Sequence, residues 1–362
     1  NLVALAAMTA YAALFLHAES QAEVLGLVVL AAVAIPLLAR FGWTARMADS
    51  LKSRKSTAFG IAAAFAVLLW LFHDQHFVML MLASVLLYTV ACLGLTVQFG
   101  YAGVVNFAGA AFLGVGGYTS AVLAAHLPHV LVLLAGGLLA ALIGSILILP
   151  ILRTRGHYAA LITVAFGLLF RTFVEVNDAV GGPQGMQVRG MNLFGWDLNS
   201  AIGDSSFYAN YAVVGLALAA AAFWLVRRLE RSWIGLSLDA VRLDETACAV
   251  FGIDVARWKI FAFTFGNFFA GVAGAMYAMM TGFVAPNSFT FGDSLILVSI
   301  VLLGGLGNLW GVALGAAIVL VLPEKLQALQ EYRFLLYAVL VIAILLLRPQ
   351  GLIPRPARQY FP

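Results

Sequence analysis

Apolar runs close to the roughly 20 residues needed to cross a hydrocarbon core alternate with short polar links along the whole chain. Residues 2–18 and 22–40 read as an opening pair of helices joined by a link that carries Glu19 and Glu23. The next link, 40–55, holds five basic residues against Asp49. The positive-inside rule places that link in the cytoplasm and the first link outside. Residues 58–72 return outward, HDQH at 73–76 is an external turn, and 77–99 come back in. The alternation continues through 130–152, 156–175, 207–228 and 258–283.

Two stretches break this rhythm. Residues 100–118, GYAGVVNFAGAAFLGVGGY, carry six glycines, Asn106 and two tyrosines in otherwise apolar sequence. Glycine at this density lets helices pack closely or lets one break partway through a membrane, and a break is tolerated only where protein or a cavity surrounds it. Close packing alone would account for any single glycine here, but the cluster as a whole points toward the route of a solute. Candidates for lining it are Tyr101, Asn106, Phe107, Gly109 and Tyr118, joined by Asn267 and Asn308 in later glycine-containing segments. The small residues at 271 and 275 have the spacing that brings two helices into close contact. The second stretch is 293–322. Read as one helix it would put Arg348, Arg355 and Arg358 outside, whereas a break at GGLGN, 304–308, leaves only Arg171, Arg189, Lys325 and Arg333 on that side. The break is therefore expected.

Residues 231–257, RSWIGLSLDAVRLDETACAVFGIDVAR, form the long polar segment that still reads as a regular helix. Ser237 and Asp239 offer capping oxygens and Gly252 suits a helix end, which predicts about twelve helical residues between them. Asp239, Arg242 and Glu245 would then share one face, and Leu243, Ala247, Val250 and Phe251 another. Such a short amphipathic helix, flanked by Arg227, Arg228 and Arg231, is suited to meeting a partner at the cytoplasmic surface. The loop 176–206 has one Arg against three Asp and belongs outside.

The composition, 63% hydrophobic and 10% charged with a mean hydropathy of +1.01, excludes a soluble domain. The formal charge of +4 resides in the links and reports orientation, not nucleic-acid binding. The expected fold is all-α: a polytopic membrane protein of about ten to eleven helices with broken or re-entrant segments, forming a single domain over 1–362. The first apolar run, with no basic start or cleavage site before it, is expected to be a retained helix. Cys92 and Cys248 are expected to be free thiols, and the histidine pairs His73/His76 and His126/His129 to be solvated rather than metal-bound. No catalytic constellation and no G-x-x-x-x-G-K-[ST] occurs, so no cofactor is expected in this chain and ATP, if used, binds elsewhere. A relay of buried acids is missing too, which argues against proton coupling; Asp293 at a span start comes nearest.

Several segments resemble one family, the LivM-type inner-membrane permeases of bacterial branched-chain amino-acid ABC importers. They are GYAGVVNFAGAAFLGVGGYTSAVL at 100–123, GGPQGM at 181–186, RLDETACAVFGIDVARWKIFAFTFGNFFAGVAGAMYA from Arg242, VLLGGLGNLWGVALGA at 302–317 and LRPQGL at 347–352. The resemblance implies a permease subunit that works by alternating access with a homologous second permease, two ATPase subunits and a periplasmic substrate-binding protein. It places Arg242, Asp244, Glu245 and Gly252 in the segment that contacts the ATPases, within 231–257, and makes 176–206 a periplasmic loop. The implied location is the bacterial inner membrane with both termini cytoplasmic. One departure stands out: where the family commonly has Ser-Leu-Gly-His, this chain has Asn106, Phe107, Ala108 and Gly109. Relatives that carry urea, short amides or aromatic acids supply the alternative solutes, and a secondary transporter or channel is the alternative of another class.

Overall fold

The computed structural model describes residues 2–18, 64–154, 157–201 and 206–325, with scattered positions within 20–30, 332–346 and 351–355. The helix expected at 22–40 lies outside the described residues but for scattered positions up to 30; the basic link 40–55, Arg155, Arg333, Arg348 and Arg358 lie outside them altogether. The helices are α1 (Leu2–His17), α2 (His76–Thr96), α3 (Gly109–Leu123), α4 (His129–Leu152), α5 (His157–Val176), α6 (Tyr208–Glu230), α7 (Trp233–Leu243), α8 (Glu245–Val250), α9 (Val255–Thr281), α10 (Phe291–Gly304) and α11 (Leu309–Lys325), with a further helical stretch at 64–71. The fold is all-α apart from two small antiparallel ribbons. β1 (Met186–Gln187) pairs with β4 (Phe283–Val284), and β2 (Asn192–Leu193) with β3 (Trp196–Asp197). Among the described residues, 6 helices are long and apolar enough to cross a membrane.

The bundle has two ends. At the arginine end lie α7, α8, the turn at 305–308, residues 351–353 and Arg355, where Arg355 binds Asp239 and Leu352 N–H donates to the Leu303 carbonyl. At the loop end, Ser206 N–H donates to the His73 carbonyl, β1 pairs with β4, and Lys325 donates to the Leu16 and Ala18 carbonyls. Residues 73, 206, 284 and 325 thus share one side, as the alternation of spans predicts. The break at GGLGN is present: α10 stops at Gly304, and α11 begins at Leu309 and packs back against α10.

α9 is the centre of the bundle, packed on α4, α3 and α2. Lipid tails are as apolar as leucine, so helices in a bilayer associate through close van der Waals fit rather than hydrophobic burial. The fit is tightest where Gly116 of α3, Gly271 of α9 and Gly136 of α4 meet. A Cβ on Gly116 would stand 1.9 Å from the Gly271 carbonyl oxygen, and one on Gly271 2.4 Å from that of Gly136. Ala275 lies one turn further along the same contact, so the small-residue spacing at 271 and 275 does what it predicts.

The break in the glycine-rich stretch is also present. α2 ends in a π-helical turn, Val97–Tyr101, the backbone then runs without helix through 102–108, and α3 starts at Gly109. Non-helical backbone at this depth needs partners from neighbouring elements. Thr163 of α5 accepts from Phe107 N–H (3.0 Å), Ser294 of α10 accepts from Ala110 N–H (3.1 Å), and Asn106 Oδ1 accepts from Ala108 N–H (2.9 Å). Asn106 Nδ2 in turn donates to Gln98 Oε1 (2.8 Å) and Asn267 Oδ1 (3.0 Å), and Gln98 Nε2 donates to Asn267 Oδ1 and the Phe263 carbonyl, both at 3.0 Å. All three amides are buried.

The polar segment departs from expectation. It is not one helix starting at Ser237 or Asp239 but two, α7 and α8, separated by Asp244 in extended conformation (φ −154°). The cause is local: Asp244 Oδ1 accepts from Thr246 and Ala247 N–H at 2.8 and 2.9 Å and so caps a new helix. Ser237 and Asp239 lie inside α7. The face expected to unite Asp239, Arg242 and Glu245 therefore does not form. Gly252 does follow the end of α8, with φ at +79°.

Two sets of outcomes are expected, one for the glycines and one for the amide network. Gly116→Val should lower the apparent melting temperature in detergent by a margin matching about 3 kcal/mol or more, the upper range for overpacking. Gly167→Ala, where a Cβ meets nothing within 4 Å, should leave it unchanged or slightly raised. Asn106→Leu removes the hub of the amide network and should cost about 3 kcal/mol, since Gln98 and Ala108 N–H are left buried without it. Thermal unfolding followed by tryptophan fluorescence and size-exclusion chromatography measures both. A stable, monodisperse Asn106→Leu would show that the network does not hold the break.

Candidate functional site

Side chains with work to do gather in two places. The first is the arginine end. α7 begins after Ser232, and its buried face, Leu238 and Val241, seats it against the bundle. Trp233 packs edge-on to Trp258 of α9 (5.3 Å between ring centroids), and Lys259 of α9 bonds Glu245 at 2.6 Å. α7 and α8 are thus braced on the first turn of the central helix. Arg242 donates to the Gly100 carbonyl in the π-helical turn. Asp239, which the sequence places on an outward face, is only 7% exposed and accepts both arms of Arg355, at 2.8 and 3.0 Å. The Arg355 guanidinium also stacks over the Tyr101 ring, 4.5 Å from its centroid, and its Nε lies 3.8 Å from Glu230. Beside the exposed Arg242, Asp244 and Glu245, three large apolar side chains face away from the bundle here: Leu243, Val250 and Phe251 are each more than 80% exposed. Asp244 and Gly252 shape this projection by starting and ending α8.

The second place is a narrow cleft among α2, α3, α9 and α10, lined by Tyr88, Leu113, Tyr277, Ser288, Phe289 and Asp293. Its volume is about 10 Å³, room for one water, so it is closed to any larger solute in this conformation. The Tyr88 and Tyr277 rings meet edge to face at 6.2 Å. Asp293 is held in place as the third residue of α10, where its Oδ2 accepts from Thr290 N–H (2.9 Å) and Thr290 Oγ1 (2.6 Å). Apart from Ser288 the rest of the cleft's lining is apolar, and it includes Ala110, just past the break.

The sequence-predicted path residues do not assemble into one surface. Asn106 and Asn267 belong to the amide network that satisfies the break. Phe107 packs edge-on to Phe99, and Gly109 lies against Leu297, whose Cδ1 would stand 2.9 Å from an added Cβ. Tyr118 is buried between Phe170 and Phe289, Tyr101 lies beneath Arg355, and Asn308 caps α11 by accepting from Trp310 and Gly311 N–H. Sequence reasoning missed Gln98, Thr163, Ser294 and Arg355. The first three are lone polar residues inside apolar spans, a signal that points to them; Arg355 has no local signal at all. Cys92 and Cys248 are free thiols, as expected.

Comparison with known proteins bears on this arrangement. A family described as "Branched-chain amino acid transport system / permease component" matches residues 77–346, from the start of α2 to beyond α11. The high-affinity branched-chain amino acid transport system permease protein LivM of Escherichia coli is 32% identical over 83% of this chain and 75% of its own length. A probable LivM of Methanocaldococcus jannaschii is 27% identical over 74% of this chain and 90% of its own. The LivH permease protein of Salmonella typhimurium is 24% identical over 74% of this chain and 92% of its own. No solved structure matches. With three quarters of its length matched and the spans, the break and α7–α8 all inside the matched region, the chain belongs to the permease-component family of branched-chain amino-acid transport systems.

Proposed function

We propose that this chain is one of two permease subunits of an ATP-driven importer of branched-chain amino acids, with the arginine end and both termini in the cytoplasm of a bacterial inner membrane. The observation that carries the reading is the projection of Leu243, Val250 and Phe251 from an end of the bundle rich in arginine and polar residues. Three large apolar side chains held out by a capped helix in a polar setting gain nothing by themselves and call for a covering partner. An ATPase subunit, the source of the ATP site this chain's sequence lacks, is that partner. The likeness of the chain to both LivM and LivH relatives supports a homologous second permease beside it. A periplasmic binding protein would dock at the loop end, on the 176–206 segment.

The solute's route is assigned to the cleft. A carboxylate and two phenols in an apolar groove suit a small zwitterion with an aliphatic side chain, the ammonium turned to Asp293 and the tyrosine rings. Opening the cleft from the closed form seen here is the alternating-access step. The departure at 106–109 does not argue for another solute, because Asn106 is spent on the amide network and Gly109 on close packing.

Two tests follow. Phe251→Glu together with Val250→Glu should leave the permease folded but abolish co-purification of ATPase subunits in detergent; retention of the ATPases by this double variant would move the docking surface elsewhere. Asp293→Asn should lower ATP-driven leucine uptake into proteoliposomes by about 10-fold, the worth of one charge-assisted hydrogen bond. Uptake at the unaltered rate would remove the cleft from the route.

A further inference from the structure

Arg355 touches four separate elements at the arginine end. Residues 351–353 are fastened to the end of α10, with Leu352 and Ile353 N–H donating to the Leu303 and Gly304 carbonyls at 2.8 and 3.2 Å, two of the acceptors a helix leaves open at its C-terminus. From that anchorage the Arg355 stem passes against Gly307 in the α10–α11 turn. Its guanidinium then clamps Asp239 of α7 with two bonds, stacks on Tyr101, and lies within ion-pair distance of Glu230 at the end of α6. The Arg355 and Asp239 side chains are 15% and 9% exposed, so water competes little for either.

The element at the receiving end is a weak one. Tyr101 closes the π-helical turn of α2, and the neighbouring Gly100 carbonyl accepts from Arg242 of α7. A π-helical turn is a less regular hydrogen-bonding state than the helix before it, and such turns recur at functional positions. It leads directly into the non-helical 102–108 segment. α7 therefore grips this turn twice, once directly through Arg242 and once through Asp239, Arg355 and Tyr101.

We infer that Arg355 is the positioning residue that joins α7 to the break: it makes α7, the π-helical turn and the α10–α11 turn move as one body, so that a displacement of α7–α8 reaches residues 102–108. The inference rests on the reading of α7–α8 as the surface that meets the ATPases. A guanidinium is required rather than any cation, since only its planar fork spans both Asp239 oxygens while presenting a face to Tyr101.

The test uses the full complex, the permease pair with its ATPases and solute-loaded binding protein in proteoliposomes, and reads leucine uptake and ATP hydrolysis together. Wild type, Arg355→Lys, Asp239→Asn and the double variant Asp239→Asn/Arg355→Gln are compared at equal amounts of assembled complex. The expected result is hydrolysis within about 2-fold of wild type but uptake per ATP lowered about 10-fold in each single variant, with the double variant no worse than the singles because one linkage is lost in all three. A pair that merely holds the tail in place would lower uptake and hydrolysis together and leave uptake per ATP unchanged. That result overturns the assignment, as does full uptake in Arg355→Lys. Wild-type complex that shows no ATP-dependent uptake overturns the parent reading itself, a failure the wild-type arm reports separately.

Discussion

Backbone that leaves a helix inside a bilayer has no water to bond with, and the structure is organised around meeting that demand at residues 102–108. The cost of failing is several kcal/mol per orphaned group, so the break exists only because α5, α9 and α10 bring Thr163, Asn267 and Ser294 to it. Asn267 arrives there because the glycine contacts of α9 with α3 and α4 bring these helices close together. The amides of Gln98, Asn106 and Asn267 then fill the space with bonds to one another. Glycine packing and polar satisfaction are two parts of one solution: a helix can be interrupted where its neighbours are close enough to complete it.

The division between what sequence reveals and what it hides follows the range of the interactions. Spans, the GGLGN break and the grouping of the described links at two ends are legible because length and glycine content act locally and the alternation of spans adds along the chain. The boundary between α7 and α8 is not, although its cause is local. Ser237, Asp239 and Asp244 all have capping side chains, and what separates them is that Asp239 bonds a partner 116 residues away while Asp244 bonds the first turn of the helix that follows it. The same long-range pairing turns Asp239 inward, against the polar face that helical spacing assigns to it. The path candidates illustrate the other limit. Asn106 and Asn267 are conspicuous in apolar sequence, and conspicuous polar residues are as readily consumed by buried backbone as by a solute.

The two ends of the molecule differ in how they are joined. The arginine end is held by charge, with Arg355, Arg242 and Lys259 each reaching across to a different element. The loop end is held mainly by backbone pairing, β1 with β4 and Ser206 with the turn at His73, with Lys325 reaching the Leu16 and Ala18 carbonyls and Arg171 reaching Asn287. A single bond from a long side chain, such as Lys259 to Glu245, tolerates a change of angle better than a strand pair does, whereas the two-bond clamp of Arg355 on Asp239 holds its elements together. The arginine end can accordingly adjust as a unit, with α7 and the turn beside the break moving together.

The clasp between α2 and the start of α6 sets how such an adjustment would travel. Ser206 N–H bonds the His73 carbonyl at 2.7 Å and its hydroxyl bonds His76 Nδ1 at 2.8 Å, so the two helices are pinned together at the loop end. α2 is 21 residues long, a rod of about 30 Å. Pinned at one end, it is a lever and not a piston: a push at the π-helical turn swings it instead of sliding it along its axis. The swing is greatest beside the break and fades toward the pin, which spares the contacts at the loop end while the far end changes its angle.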